Sequence, residues 1–393
     1  MTAIHWPHCA GQRRVKEVLE AAVADDSLAH AYLFSGMEGA GKFAAALDLA
    51  LILLCEDKNN RPCMKCDSCT KVLHYAHPDF HVVIPVDLAG KLNEDGNGEK
   101  DNDSAGGAIK GSEKEEKKWK DISERILTRI NDTYVLPDYK KKPDIPVIWI
   151  RELAQAMLRG KLGKSFNVGI FDGVDLMKES TSNAMLKLLE EPPAGTVLLL
   201  ITDRPSAVLP TIVSRCQLLR FSWSPPEEIR TALCGRFSVP GQDPRLDAVL
   251  HTGSIGRSIF LWNNPSDAVR KEADALWDLC RRKNWPDIAG SIDRLSENGD
   301  FSMYRQLFLE ILQRIRNVYF RELGCTENLF SGDRSGSADD LRGTLTHAAA
   351  LRLLALCEHS IAAVNARANI TLVLAQFAIA LTETLNGEKQ QPR

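Results

Sequence analysis

At 393 residues the chain exceeds one ordinary core, so two or three domains are expected, and 44% hydrophobic with 26% charged residues is a soluble globular composition. A formal net charge of −3 excludes a global field that would hold nucleic acid, so any DNA contact needs a local basic patch or a partner. No apolar run approaches a membrane span, Met1 to Ala10 lack the basic-then-apolar order of a secretion signal, and the cysteines cluster at one place only, so a cytoplasmic chain with reduced thiols and one metal site is expected.

The first clear element is Ala31 to Ser35, a short apolar run ending at a glycine, followed by helical spacing from Lys42 to Cys55. Strand, glycine loop and helix in that order is what a phosphate-binding loop requires. Gly36-Met37-Glu38-Gly39-Ala40-Gly41-Lys42 fills the pattern G-x-x-x-x-G-K. Backbone N–H groups of such a loop point at phosphate oxygens, and the lysine adds a point charge. The next position ordinarily carries a hydroxyl that ligates Mg²⁺. Here it is Phe43, which ligates nothing. The loop is therefore expected to be inherited architecture, with ATP turnover not expected and passive nucleotide binding left open.

Cys55, Cys63, Cys66 and Cys69 come next, spaced C-x7-C-x2-C-x2-C. Four thiolates so close in sequence fit a closed tetrahedral Zn²⁺ site with a structural role. Two alternatives stand beside it. One is four reduced thiols; the other is an iron–sulfur cluster, whose pattern wants a further cysteine where Leu73 stands. His74 and His77 lie near enough to serve as substitute ligands.

FHVVIP, from Phe80 to Pro85, reads as a strand. Residues 87–145 then change character, being rich in Gly, Asp and Lys. The first half is expected to be a disordered insertion, because it buries too little to offset the entropy of ordering. Within the insertion, Trp119, Ile122, Ile126 and Ile130 recover helical spacing. Order returns at IPVIWIRELAQAML.

NVGIFDGVDLM is a buried strand ending in acids. Asp172 stands where a phosphate-loop ATPase holds Mg²⁺, and Gly173 stands where the water-polarising glutamate of many such enzymes would be. Asp175, two residues on, is a poor substitute because its side chain leaves in another direction. A helix (STSNAMLKLLEEPP, stopped by Pro192-Pro193), a strand (TVLLLITD), the tripeptide Ser214-Arg215-Cys216 and a last strand (CQLLRF) follow. Taken alone, Arg215 is an ordinary surface charge. Five strands alternating with helices indicate a doubly wound parallel sheet. After Ser222 only helical periods remain, to about Asn386, so the architecture is α/β first and all-α afterwards.

HAYLFSG, the glycine loop, the four cysteines, NAMLKLLEEPP, the Thr-Asp strand end and SRC, in that order, resemble the subunits of the bacterial DNA polymerase III clamp loader, an assembly of AAA+ proteins. HTGSIGRS resembles the lid segment of that family, and NARANITLVLAQFAIAL the last helix of its collar. The resemblance implies an AAA+ domain over 1–222 with a zinc module at 55–69, a helical lid over 223–290 and a helical C-terminal collar over 291–393. It also implies a degenerate nucleotide site formed by Gly36, Gly39, Gly41, Lys42, Asp172, Thr202 at the sensor position and Arg257 at the lid's sensor arginine.

In that family the hydrolysing gamma and tau subunits keep the loop hydroxyl and the strand glutamate. A class that has lost ATPase function keeps the Ser-Arg-Cys arginine, and Phe43 with Gly173 places this chain nearer that class. Arg215 is then implied to be an arginine finger acting in trans on a neighbouring subunit's ATP. The implied partners are gamma/tau-type and delta-type subunits in a hetero-oligomer, with the sliding clamp and primed DNA reached through the complex and no membrane involved. Two other readings are an active gamma/tau-type ATPase that compensates through Asp175 or nearby acids, and a zinc-stabilised interaction module outside replication.

Overall fold

A computed structural model of the chain describes residues 3–87, 113–139, 141–158, 166–322 and 346–387. The chain divides into two compact units, Met1–Val135 with Pro143–Ser222, and Leu136–Lys142 with Trp223–Arg393. The first half of the insertion, expected to be disordered, lies outside the described residues.

The first unit contains β1 (Ala3–Ile4), α1 (Arg13–Ala24), β2 (Ala31–Ser35), α2 (Lys42–Leu54), β3 (Asn60–Arg61), α3 (Asp67–Leu73) and β4 (Phe80–Val83). It continues with α4 (Glu113–Asn131), α5 (Val147–Leu158), β5 (Asn167–Phe171), α6 (Glu179–Glu190), β6 (Thr196–Thr202), α7 (Pro210–Val213) and β7 (Gln217–Arg220). The five expected strands form one sheet in the order β4-β5-β6-β2-β7. Every pairing in it is parallel, as in the registers Ser35↔Thr202 and Ser35↔Arg220.

Strands β2, β5 and β6 are buried at every position, as continuous apolar runs covered by helices on both faces should be. Helix α2 is likewise buried along its whole length, because its sequence (KFAAALDLALILL) is apolar all round. Its one carboxylate, Asp48, is compensated by the backbone N–H groups of His8 (2.9 Å) and Cys9 (2.8 Å) and by His8 Nδ1 at 2.6 Å. β2 lies between two strands that come later in the chain, so the crevice at its carboxyl end is a switch point of the kind that receives ligands.

Two local features depart from the sequence reading. The helix expected from Trp119 to Ile130 begins earlier, at Glu113, and buries Ile122, Ile126 and Ile130. The short β1–β3 pair, Ala3↔Asn60 and Ile4↔Arg61, was not anticipated. Two-residue strands leave no periodicity to read.

The second unit has no strand among its described residues. Its helices are α8 (Pro226–Arg236), α9 (Pro244–Val249), α10 (Ile255–Asn263), α11 (Asp267–Arg282), α12 (Trp285–Asn298), α13 (Phe301–Glu322), α14 (His347–Asn365) and α15 (Ile370–Gly387). Trp277, Phe308, Leu353 and Phe377 form its core, with the Phe308 and Phe377 rings edge-on at 5.0 Å. Residue 290, the expected end of a lid, falls inside α12.

Helix α14 is long and apolar enough to cross a membrane by length and composition, with a mean hydropathy of 1.2, although Arg352 and Glu358 interrupt its apolar run. Its Leu353, Cys357, Ile361 and Val364 are nonetheless buried in the unit, and its Glu358 is ion-paired to Arg257.

Candidate functional site

The carboxyl end of β2 delivers the glycine loop. Gly36 is required by close approach, since a Cβ there would lie 2.7 Å from the Phe221 carbonyl oxygen. Gly39 and Gly41 hold left-handed backbone at φ +73° and +93°, and Gly41 is the cap from which α2 starts. Lys42 is buried within this loop. Its ammonium meets the Gly36 carbonyl at 2.8 Å, the Met37 carbonyl at 2.7 Å and Asp203 Oδ1 at 2.7 Å. An ammonium has three protons to donate, so all three are engaged by the protein itself.

Phe43 is fully buried on the first turn of α2. The Arg129 guanidinium lies over its ring, 4.5 Å from the centroid. Arg129 Nε donates to Asp172 Oδ2 at 3.0 Å, so the carboxylate expected to face a metal ion faces an arginine. Arg129 Nη1 donates to the carbonyls of Thr133 (2.8 Å) and Val135 (2.9 Å). Between these, Tyr134 packs on the loop with its hydroxyl 2.9 Å from where a Gly41 Cβ would be, and that hydroxyl accepts from the Ala10 N–H at 2.8 Å. Gly173, next to Asp172, is left-handed at φ +70°.

Thr202 ends β6 fully buried, and its hydroxyl donates to Asp175 Oδ1 at 2.9 Å. Arg204 Nε donates to the other Asp175 oxygen at 3.0 Å. Burial, and then the charge of Asp203, pushes the Asp175 carboxyl up from its ordinary range, while Arg204 opposes them. Asp175 thus belongs to a closed network at the strand end. Arg257 lies in the second unit, where its buried guanidinium is forked on both carboxylate oxygens of Glu358, at 2.6 and 2.5 Å.

Arg215 comes after α7 and is partly exposed. Its guanidinium pairs with Glu190 Oε1 at 2.8 Å and donates to the Thr211 carbonyl at 3.0 Å. Glu190 ends the NAMLKLLEEPP helix, so two of the motifs singled out in the sequence meet at this ion pair.

The four cysteines come together. Their Sγ atoms all lie within 4.8 Å of one another, which four ligands on one metal ion require, since Zn–S bonds of ~2.3 Å put sulfurs roughly 3.8 Å apart. Backbone N–H groups of Cys63, Cys66 and Cys69 point at the sulfurs of Cys55, Cys63 and Cys66 at 3.4, 3.3 and 3.4 Å. Chiefly through the Lys65 N–H, such bonds bring the Cys63 thiol down to about 7, whereas burial pushes Cys55 and Cys69 up. Four thiols held this close, two of them buried, are the donor set a divalent cation stabilises as thiolates. His74 and His77 are engaged elsewhere, His74 Nδ1 at 2.8 Å from the Thr70 carbonyl and His77 Nδ1 accepting the Asp79 N–H at 3.1 Å. The β1–β3 pair fixes the loop between Cys55 and Cys63.

Sequence reasoning missed Arg129 and Tyr134, and it quoted Asp203 and Glu190 only as parts of motifs, without their contacts. Arg129 is one charge among many in a charged helix, and its contact with Phe43 and Asp172 is set by tertiary packing alone. The one available signal was indirect: an aromatic ring where a metal-ligating hydroxyl belongs is a surface suited to an organic cation.

Comparison with known proteins agrees with the motif order. DNA polymerase III subunit delta' of Bacillus subtilis is 30% identical over 232 residues, which are 59% of this chain and 54% of that protein. The corresponding Escherichia coli subunit is 25% identical over 288 residues, 72% of this chain and 70% of that one. The gamma/tau subunit of Mycobacterium tuberculosis is 28% identical over 247 residues, 62% of this chain and 33% of its own length. The match thus spans about half of the Bacillus subtilis relative and a third of the mycobacterial one. The sequence profile of the family described as DNA polymerase III, delta subunit, matches residues 11–224, more than half of the chain, and the chain belongs to that family.

Proposed function

We propose that this chain is a delta-prime-type subunit of the DNA polymerase III clamp loader, one that hydrolyses no ATP itself and lends Arg215 to the ATP site of a neighbouring gamma/tau-type subunit. The observation that carries this reading is the contrast between two cations. Lys42 is buried with its donors satisfied inside the loop, while Arg215 is partly exposed on a surface ion pair from which it can exchange partners. A guanidinium inserted beside a transferring phosphoryl group stabilises the charge that develops there and is worth about 10³–10⁵ in rate. The sliding clamp and primed DNA would be reached through the assembled complex.

The competing reading, an active gamma/tau-type ATPase using Asp175, is disfavoured by geometry. The Asp175 side chain is buried at the strand end, and both its oxygens are engaged there, by Thr202 and Arg204, which directs the carboxylate into the protein and away from an attacking water. The residues fit a zinc ion at Cys55, Cys63, Cys66 and Cys69, whose chemistry would be structural because four thiolates leave no open position. Arg257, buried against Glu358, supports a packing role better than contact with a nucleotide.

Steady-state ATP hydrolysis tests the reading, first with the chain alone and then with gamma-type and delta-type subunits, clamp and primed DNA. The chain alone should be silent. The mixture should lose several-fold in rate with Arg215→Ala, because one site loses its finger. Hydrolysis by the isolated chain that disappears with Lys42→Ala would overturn it.

A further inference from the structure

We propose that the degenerate nucleotide site is closed from within, with Arg129 standing in for the metal ion. The inference rests on the reading of residues 36–42 as a phosphate loop, but not on the assembly the chain joins. In a working loop, the hydroxyl after the lysine and the acid at the strand end together hold Mg²⁺. Both positions are altered here in a matched way. The strand acid, Asp172, keeps a cationic partner at 3.0 Å, but the partner is the Arg129 guanidinium. The hydroxyl position carries a phenyl ring, and the same guanidinium lies 4.5 Å above it. A hydroxyl suits a small hard cation, whereas an aromatic face suits a flat delocalised one. Phe43 is therefore half of a replacement of metal by arginine, and not only a loss.

Arg129 also ties down the segment C-terminal to it. Nη1 bonds the carbonyls of Thr133 and Val135, which turns residues 129–135 into a strap. Tyr134, between the two bonded carbonyls of that strap, is 1% exposed and rests on Gly41, a residue whose own N–H lines the phosphate cradle of a working loop. The strap, Lys42 bonded to its own loop and the Arg129–Asp172 pair occupy the phosphate-side and metal-side functions together. A Mg²⁺–nucleotide would have to displace all three.

The insertion between β4 and β5 thus acquires a role. Its described helix, α4, with the turn that follows it, brings Arg129 and Tyr134 to the switch point at the end of β2, and Ile122, Ile126 and Ile130 are buried along the helix. A subunit closed in this way keeps one geometry whether or not nucleotide is present in solution.

The test is a calorimetric titration of the purified full chain with ATP in the presence of Mg²⁺. Wild type should show no saturable binding up to millimolar nucleotide, and the double variant Phe43→Thr/Arg129→Ala should bind at least tenfold more tightly. Equal affinity in the two, or saturable micromolar binding by wild type, would overturn the proposal. Hydrogen exchange on wild type alone gives a second arm that does not depend on a variant folding. Adding Mg²⁺–ATP should leave residues 36–43 and 129–135 unchanged, and protection of either segment would overturn the proposal. Binding to the isolated chain is read independently of hydrolysis by the mixture, so failure here leaves the role of Arg215 standing, and the converse.

Discussion

A Cβ on Gly173 would lie 2.7 Å from Pro85 Cγ, at a backbone position already turned to φ +70°. The residue after the strand acid is thus confined to glycine twice over, by torsion and by the proline just beyond β4. Placing a glutamate there would force β4's end or the 173–176 turn to move. We expect Gly173→Glu to destabilise the first unit by about 1–3 kcal/mol, the usual range for such backbone strain. It should give no ATP hydrolysis, alone or with Phe43→Ser. Thermal melts and a steady-state assay check this. A variant as stable as wild type would show that the turn is softer than its contacts suggest.

Metal removal should act on the first unit and not on chemistry. If zinc holds the four sulfurs, the purified chain carries one equivalent, measured by elemental analysis, and shows none of the visible absorbance of an iron–sulfur cluster. Cys63→Ser should lose that equivalent and lower the melting temperature by several degrees, because metal binding energy is folding energy. The upper bound is the apparent ~10–16 kcal/mol of small zinc-finger domains, which have little else to hold them. Here α3 and the β1–β3 pair supply other contacts, so the loss should be well below that. Retention of a full equivalent in Cys63→Ser would mean the ligand set is different.

How far the sequence could be read depended on the range of the interactions involved. The five strands were legible because fully buried parallel strands are continuous apolar runs bounded by turns. The cysteine cluster was legible because its ligands are neighbours in sequence, and the Sγ atoms do converge. The glycine loop was legible in type but not in state. Lys42 shows in any sequence as a phosphate-binding lysine, and only the folded chain shows its contacts with Gly36, Met37 and Asp203. Arg129 with Asp172, Arg215 with Glu190 and Arg257 with Glu358 are ion pairs far apart in the chain, and no local pattern announces such partners. Phe43 read as a loss for the same reason. Its ring packs under a guanidinium contributed from within the insertion, far away in sequence.

Arg257 offers the clearest separation between a residue's motif and its position. HTGSIGRS suggested a sensor arginine, and the structure buries that arginine to 1% exposure against Glu358 of α14. The pair is bidentate, with both short bonds to one carboxylate, the fork geometry at which arginine excels. Removing the carboxylate alone leaves the buried guanidinium without this counter-charge, a loss that costs about 3–5 kcal/mol in a fully buried pair. Glu358 is itself 29% exposed, so water recovers part of that, and we expect Glu358→Ala to cost near the lower end. Glu358→Gln, which keeps one acceptor and the side-chain volume, should cost less than Glu358→Ala. Replacing both partners by apolar residues, as Arg257→Met/Glu358→Leu, should cost less than the single Glu358→Ala, because no buried charge is left to lose its counter-charge. Urea unfolding of the four proteins measures this ordering. If Glu358→Ala is as stable as wild type, the arginine has another adequate partner and its burial is not governed by this carboxylate.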